Sequence, residues 1–434
     1  MENYKQFTAA IISVLLLAVT GNAAAYEGRV VDSSTGKPIE GAFVTAQNQV
    51  ARTGKDGGFR IEAEGGRIGA RAPGYLRQEV DTAGRADGEA KEIRLTPFAP
   101  KALYLSFYGA GSSTLRQSAL KLIEETDLNA LVIDVKGDLG MIPYKSAIPL
   151  VAEVGGQKIT TIRDIRSLIA SLREKGIYTI ARIVTFKDDP LATAKPEWAV
   201  KTRDGAVWRD RENLAWVDPF RKEVWEYNIE IAVEAAKNGF DEIQFDYVRF
   251  PDARGPEFSQ PNTEANRVRA ITGFLTEARA RLAPYNVFLA ADLFGYVSWN
   301  TNDTDIGQKL EELAPVLDYF SPMLYPSGFQ YGIPNYRQPV ENPYEIVFLS
   351  LKRAKERTGL PGLRFRPWLQ AFKDYAFDHR PFGPKEIGDQ IRAAEDFGAN
   401  GWMLWNPRNV YSDEALKKGD TQVAAKRNPR GDRL

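Results

Sequence analysis

The chain contains 434 residues with 57 basic and 57 acidic side chains, no cysteine and a single histidine, His379. This length suffices for about two domains, and the balanced charge gives no indication of a nucleic-acid partner. The lack of cysteine excludes thiol nucleophiles, thiolate metal sites and disulfides, and one histidine cannot form a multi-histidine zinc site.

The first 25 residues have the pattern of an export signal. Lys5 supplies positive charge, residues 8–20 form a short apolar core, and Ala23, Ala24 and Ala25 offer a small-residue cleavage site. About a dozen apolar residues fall short of the roughly 20 that span a bilayer, which favours a cleaved signal over an uncleaved anchor. We therefore predict a protein exported to a bacterial periplasm or exterior, with no integral membrane segment after signal cleavage.

Residues 26–97 are rich in glycine and in short alternating apolar runs, which predicts a small β-sandwich. The stretches GRVVDSSTGKPIEGAFVTAQ, TGKDGGFRI and ARAPGYLRQEV resemble the carboxypeptidase regulatory-like (transthyretin-like) domain over nearly the whole segment. The resemblance implies an accessory module without catalytic residues. A spacer and a glycan or wall adhesion module are equally open as its role.

Residues 98–415 alternate apolar runs with amphipathic helical segments, the signature of βα units around a parallel sheet. The eight runs are ALYLSFY, ALVIDV, YTIARIV, EIQFDYV, VFLAADLF, DYFSPMLY, RFRPWLQ and GWMLW. Eight units predict an α/β fold, a (β/α)8 TIM barrel. An open doubly wound sheet is the alternative, but no GxGxxG or Walker loop follows any early strand. Residues 416–434 read as a flexible tail.

Strand alternation predicts which side chains face the barrel lumen, because successive residues point alternately to the lumen and to the helices. The predicted lumen residues are Asp134 and Lys136 in the second run, Glu242, Gln244 and Asp246 in the fourth, and Asp292 in the fifth. The carboxylates thus gather near the C-terminal ends of the runs, where barrel enzymes place their chemistry.

Several carboxylates in one lumen cost free energy unless they are paired or one of them holds a proton. One explanation is structural, with Lys136, Arg182 and Arg249 neutralising the acids. The functional explanation needs two acids, one ionised and one with a raised pKa that protonates a leaving group. That division of roles is the chemistry of glycoside hydrolysis.

Tryptophans form a second indication of a sugar ligand, since flat apolar rings suit the faces of a sugar. Seven of the eight tryptophans fall in or near the predicted barrel mouth: Trp198, Trp208, Trp216, Trp299, Trp368, Trp402 and Trp405. We predict that they form a cleft around Asp246, with Trp216, Trp299 and Trp405 as substrate-binding residues. Placement of most of them between barrel and helices would remove this support.

Seven motifs of the barrel segment are distinctive together: LVIDVKGDLG, TIARIVTFKD, WAVKTRDGAVW, WVDPFRKEVWEYN, GFDEIQFDYVRFP, LAADLFGY and SPMLYPS. On these motifs the segment resembles a family of bacterial glycoside hydrolase-like domains that long carried only a domain-of-unknown-function label. The family is similar to α-amylase-like barrel hydrolases, which implies that Asp246 is the nucleophile and Asp292 the proton donor. Two departures stand out: the usual acid after strand five is glutamate, and Gln370 replaces a third carboxylate.

Eight residues besides the tryptophans are candidates for substrate binding: Asp134, Lys136, Arg182, Glu242, Gln244, Arg249, Tyr325 and Gln370. Arg249 either holds Asp246 ionised or closes its loop against Asp252, and Tyr325 either bonds the nucleophile or substrate or packs at a strand end. His379 reads as a surface residue. We therefore expect an exported glycoside hydrolase acting on an extracellular or cell-wall polysaccharide or oligosaccharide, with no cofactor and no assigned metal ligand. The sequence leaves a Ca²⁺ ion bound by carboxylates open. A glycan-binding barrel without turnover is the alternative from another class.

Overall fold

The structure, a computed structural model, describes residues 24–63, 66–81 and 91–416. The predicted export signal lies outside these residues except for Ala24 and Ala25, and the predicted tail lies outside them except for Leu416. Within the described ranges, no helix is long and apolar enough to cross a membrane.

The N-terminal part is an all-β unit of two sheets that share one hydrophobic core. Its strands are β1 (Ala24–Asp32), β2 (Phe43–Ala46), β3 (Gln49–Arg52), β4 (Gly58–Ala63), β5 (Arg67–Arg71), β6 (Gln78–Asp81) and β7 (Lys91–Leu95). One sheet has the order β4-β1-β7 and the other the order β3-β2-β5-β6. The all-β prediction is confirmed, whereas the resemblance to a carboxypeptidase regulatory-like domain stays a prediction.

The second part is a closed barrel of eight parallel strands, so the predicted (β/α)8 fold is confirmed. Its strands are β8 (Lys101–Leu105), β9 (Ala130–Lys136), β10 (Tyr178–Val184), β11 (Glu242–Asp246), β12 (Phe288–Phe294), β13 (Tyr319–Met323), β14 (Trp368–Gln370) and β15 (Trp402–Trp405). They pair in chain order, and β15 closes on β8.

Helices surround the barrel and follow the strands along the chain. They are α1 (Phe107–Gly111), α2 (Ser113–Glu125), α3 (Pro149–Glu153), α4 (Ile165–Glu174), α5 (Asp189–Ala194), α6 (Lys222–Lys237), α7 (Glu264–Leu282), α8 (Leu310–Leu313), α9 (Pro343–Thr358) and α10 (Pro384–Phe397). The predicted alternation holds in β11, where Ile243 and Phe245 join the core under the helices while Glu242 points into the lumen.

Lys136 does not face the lumen, and that prediction is wrong. The register of β9 on β10 pairs Asp134 with Arg182 and then Lys136 with the next residue, so Val135 is inserted as a β-bulge. A bulge shifts the alternation of the residues that follow it. Lys136 is therefore buried on the helix side of the strand, where its Nζ donates to Asp188 Oδ2 at 2.7 Å.

The all-β unit covers the N-terminal end of the barrel, opposite the strand ends that carry Asp246. Leu76 packs against the hydrophobic cluster of the lumen. The Gly74 N–H donates to Tyr319 Oη at 2.9 Å, and Arg77 pairs with Asp241 at 3.1 Å. This end of the barrel is thus closed, which leaves the C-terminal end for a site.

Candidate active site

Asp246 ends β11 and opens into a cleft at the C-terminal end of the barrel. The cleft has a volume of about 260 Å³. Its walls carry charged and aromatic side chains together, namely Arg182, Asp246, Tyr247, Arg249, Phe294, Met323, Tyr325, Phe329, Trp368, Tyr375 and Trp405. This combination of a few polar groups with aromatic surface is typical of a small-molecule or sugar site.

Arg182 of β10 holds Asp246 in place and gathers the acids of neighbouring strands. Its Nε and Nη2 donate to Asp246 Oδ2 at 2.9 and 2.6 Å, and its Nη1 donates to Asp134 Oδ1 at 2.7 Å. Nη2 also donates to Asp138 Oδ1 at 2.8 Å. Because Arg182 is 1% exposed, these charge-assisted hydrogen bonds are shielded from solvent.

Asp138, in the loop after β9, belongs to this cluster although the sequence analysis did not identify it. Its Oδ1 and Asp246 Oδ2 bond the same Arg182 nitrogen, so these oxygens lie at most about 5.4 Å apart, the sum of 2.8 and 2.6 Å. The side chain is 44% exposed. Strand alternation does not predict the direction of a loop side chain. Only the presence of Asp138 in the LVIDVKGDLG motif could have indicated that it belongs to the site.

Asp292 lies beside Asp246 but below the surface of the cleft. The register pairs Phe245 with Ala291, so the next residues, Asp246 and Asp292, come side by side on neighbouring strands. Asp292 is 1% exposed, and its Oδ1 accepts a hydrogen bond from Trp368 Nε1 at 2.7 Å, while its Oδ2 has no hydrogen-bond partner among the described residues. Burial, reinforced by the Asp246 charge, raises the pKa of Asp292 well above its usual value.

Asp134 connects the Arg182 cluster to the first barrel strand. Its Oδ2 accepts hydrogen bonds from Tyr104 Oη at 2.8 Å and from the Phe107 N–H at 3.0 Å. Burial raises the pKa of Asp134 to about 6, although the Arg182 charge opposes this shift. Tyr104 stacks on Trp405 with ring centroids 3.9 Å apart, so the ion-pair cluster has an aromatic wall.

Two tyrosines near Asp246 are unusual, one in its backbone conformation and the other in its phenol pKa. Tyr247 has a φ of 47°, a left-handed backbone conformation that is costly for a non-glycine residue, and its N–H donates to Asp246 Oδ1 at 2.6 Å. Tyr325 lines the cleft just after β13, and burial beside the carboxyl groups of Asp292 and Asp246 raises its phenol pKa well above the usual value. Tyr325 is therefore a neutral hydroxyl.

Residues 102–411 match the family described as "Putative glycosyl hydrolase domain". The chain belongs to this glycosyl hydrolase family. A search of curated proteins found no match.

Two solved structures are among the similar ones. A hypothetical protein from Ruminiclostridium thermocellum ATCC 27405 is 41% identical over 44% of this chain and 96% of its own, with a TM-score of 0.40. The glycoside hydrolase domain of PgaB (BpsB) from Bordetella bronchiseptica is 14% identical over 75% of this chain and 98% of its own, with a TM-score of 0.52. At that identity, the second likeness bears on the fold alone.

Most tryptophans of this glycosyl hydrolase-family barrel do not line the cleft, so the prediction of a tryptophan cleft is wrong. Trp216 is buried against the core under the helices, and Trp208 and Trp299 pack on the same core. Trp299 Nε1 donates to Ser350 Oγ of α9 at 2.9 Å. Trp198 and Trp402 belong to that layer too, whereas Trp368 and Trp405 line the cleft. The position of a tryptophan in a loop after a strand does not show whether its ring faces the cleft or packs into the core. Burial of a large apolar ring is itself favourable, so such a ring packs into the core where the fold allows it.

Arg249 lines the cleft but does not bond Asp246, so the expectation that it holds this carboxylate is wrong. Its Nη1 donates to the Phe250 carbonyl at 3.0 Å, and its guanidinium lies over the rings of Trp216 and Tyr247 at 5.1 Å from each centroid. Arg182 forms the ion pair with Asp246 that was expected of Arg249.

Three other predicted binding residues lie below the cleft and are bonded within the scaffold. Glu242 pairs with Arg366 at 2.6 and 2.8 Å near the opposite end of the lumen. Gln244 Nε2 donates to a serine of β13, and Gln370 Nε2 donates to Ser327 Oγ at 2.7 Å. All three are fully buried and do not contribute to the cleft wall.

No group of three or more histidine, aspartate or glutamate side chains suited to a metal ion occurs in the part of the chain that the structure describes. The acids Asp134, Asp138 and Asp246 converge on the Arg182 guanidinium, which occupies the centre of their cluster. The polar groups at and below the cleft include the ion-paired Asp246 carboxylate, the buried Asp292 carboxyl and the Tyr325 phenol.

Proposed function

We propose that this protein hydrolyses a glycosidic bond, with Asp246 as the ionised carboxylate and Asp292 as the proton donor. The observation that carries the proposal is the contrast between two carboxyl groups on neighbouring strands. Asp246 is ion-paired to Arg182 and opens into the cleft, whereas the pKa of Asp292 is raised by burial. Such a contrast separates the acid from the nucleophile or base in glycoside hydrolysis.

In this mechanism Asp246 attacks the anomeric carbon directly or activates water, while the leaving-group oxygen takes a proton from Asp292. Tyr325 borders the reacting centre and can bond sugar hydroxyls, while Arg182 holds Asp246 in place. Because Asp292 is 1% exposed under Trp368, the mechanism requires this indole to move or a water molecule to relay the proton. The substrate class that we propose is an extracellular or cell-wall polysaccharide, on the basis of the predicted export signal.

A second candidate function is glycan binding without turnover. The specific observation in its favour is that Asp292 does not line the cleft, so no protonated carboxyl group is exposed to a bound sugar. The cleft would then use Asp246, Tyr325 and Trp405 only to hold the glycan.

A screen of turnover and binding separates the two functions. The purified protein is incubated with soluble polysaccharides and with activated aryl glycosides of α and β configuration, and released reducing ends or phenols are measured. Hydrolysis that disappears in the Asp246→Asn variant supports the enzyme. Retention on a polysaccharide affinity gel with no release from any aryl glycoside supports the binding protein.

A further inference from the structure

A second cavity lies next to the cleft at the same end of the barrel. It has a volume of about 200 Å³ and is lined by Tyr104, Ser106, Phe107, Tyr108, Asp134, Gly137, Asp138, Leu139, Met141 and Pro407. None of the sequence predictions except Asp134 concerned this region. The cavity therefore needs an explanation of its own.

The two cavities are separated by side chains that face one cavity each and contact one another directly. Arg182 lines the cleft, and its guanidinium bonds Asp134 and Asp138, which line the second cavity. Trp405 lines the cleft and stacks on Tyr104, which lines the second cavity. A molecule that touches Asp246 in the cleft thus has the second cavity directly beside it.

The exposed aromatic side chains of the described residues are concentrated around these two cavities. They are three tyrosines, namely Tyr108, which lines the second cavity, Tyr375, which lines the cleft, and Tyr331, which contacts Tyr296 beside the cleft residue Phe329. Tyr108 and Tyr375 are each 55% exposed. Exposed rings of this kind are the surface that a sugar face covers, and they supply here what the buried tryptophans do not.

We infer that the second cavity is a sugar subsite and that the substrate is an oligosaccharide or polysaccharide chain bound across both cavities. Tyr108 and Leu139, which is 43% exposed, provide apolar contact area for a sugar ring. The half-exposed Asp138 carboxylate accepts hydrogen bonds from sugar hydroxyls, since Arg182 occupies only part of its acceptor capacity.

This inference rests on the proposed glycan substrate and adds the length of glycan that the site accepts. The second cavity extends the binding surface beyond the cleft that contains Asp246, so a glycan longer than the cleft can continue into it.

The test measures binding of short and long oligosaccharides by isothermal titration calorimetry, in the Asp246→Asn background that prevents turnover. The probes are the disaccharides and hexasaccharides of β-1,4-glucose, β-1,4-N-acetylglucosamine, β-1,4-xylose and α-1,4-glucose. At least one hexasaccharide should bind about tenfold or more tightly than its disaccharide. Adding Tyr108→Ala should weaken the hexasaccharide about 5- to 10-fold and Leu139→Ala about 3-fold, with the disaccharide unaffected.

Leu363→Ala is the matched control for Leu139→Ala. Leu363 is 40% exposed, against 43% for Leu139, but it lies in the turn Gly362–Arg364 that precedes β14, at the other end of the barrel. This control should leave both affinities unchanged. Both test residues are exposed, so thermal unfolding of each variant should match that of its parent.

Equal affinity of hexasaccharides and disaccharides would overturn the second subsite, and so would an unchanged hexasaccharide affinity in both Tyr108→Ala and Leu139→Ala. The second subsite would also be overturned if none of the four hexasaccharides bound at about 10 mM. This concentration is about ten times the upper end of ordinary KM values. Hexasaccharide binding with the expected losses but no release of reducing ends by the unsubstituted protein would keep the subsite and refute hydrolysis.

Discussion

Replacing Arg182 with methionine tests the electrostatic construction of the cleft. The substitution keeps a long unbranched side chain but removes the guanidinium that bonds Asp134, Asp138 and Asp246. Asp138 is 44% exposed and can be solvated by water. Asp134 is 2% exposed and Asp246 6%, so these two carboxylates would lose their counterion without access to solvent.

The expected loss of stability is large because a buried charge is left uncompensated. Removing one partner of a buried ion pair costs about 3 to 5 kcal/mol, and we expect this loss for Arg182→Met at pH 8. The pKa of Asp134 is already raised to about 6 with Arg182 present, and it should rise further without it. A carboxyl group whose pKa is raised by folding destabilises the folded state above that pKa, and the penalty fades as the group takes up a proton. The loss should therefore be smaller at pH 5 than at pH 8.

The assay is urea unfolding followed by tryptophan fluorescence and circular dichroism at both pH values. Arg249→Met is the matched control, since Arg249 also lines the cleft but, within the part of the chain that the structure describes, its guanidinium bonds the Phe250 carbonyl and no carboxylate. It should cost less than about 1 kcal/mol. Equal losses in the two variants, or a loss for Arg182→Met that grows as the pH falls, would refute the reasoning.

Three further predictions concern the acid, the tryptophans and the all-β unit. Asp292→Asn should reduce turnover of natural linkages by at least about 10²-fold while sparing aryl glycosides with good leaving groups, and equal loss on both substrate types would reject Asp292 as the acid. In the unsubstituted protein, turnover of natural linkages should decline as the pH rises through the raised pKa of Asp292. Trp405→Phe should weaken glycan binding measured by calorimetry, because Trp405 lines the cleft. Trp299→Phe should lower the free energy of unfolding by about 1 kcal/mol and leave glycan binding unchanged, and the reverse pattern would contradict the placement of these rings. A chain beginning at Pro97 should keep turnover of short soluble substrates but unfold at lower urea concentration, because Tyr319 loses its contact with Gly74 at the covered end of the barrel. Loss of turnover in the folded truncation would show that the all-β unit contributes to the site.

The predictions that succeeded depend on local periodicity. The inward positions of Asp246 and Asp292 follow from alternation along a strand, which continues unbroken through β11 and β12. The eight-fold repetition of strand and helix likewise gave the barrel, because each βα unit carries its own hydrophobic pattern.

The predictions that failed depend on contacts between distant parts of the chain. A single inserted residue, Val135, reversed the direction of Lys136, and nothing in the ALVIDV run distinguishes a bulge from a regular strand. Arg182 and Arg249 were both named as cations that could neutralise the lumen acids, and only Arg182 bonds Asp246; periodicity could not choose between them, because this pairing is a contact across strands. Asp138 lies in a loop, where no periodicity specifies direction. In each case the outcome depends on packing in three dimensions.

The most direct test of the central claim is turnover by the Asp246→Asn variant. The substitution removes the charge of the carboxylate that opens into the cleft while preserving its shape. With a hydrolysed polysaccharide or aryl glycoside in hand, turnover should fall at least about 10³-fold and glycan binding should persist. Undiminished turnover in a variant that still binds the glycan would contradict the assignment of Asp246 and, with it, the mechanism proposed for this barrel.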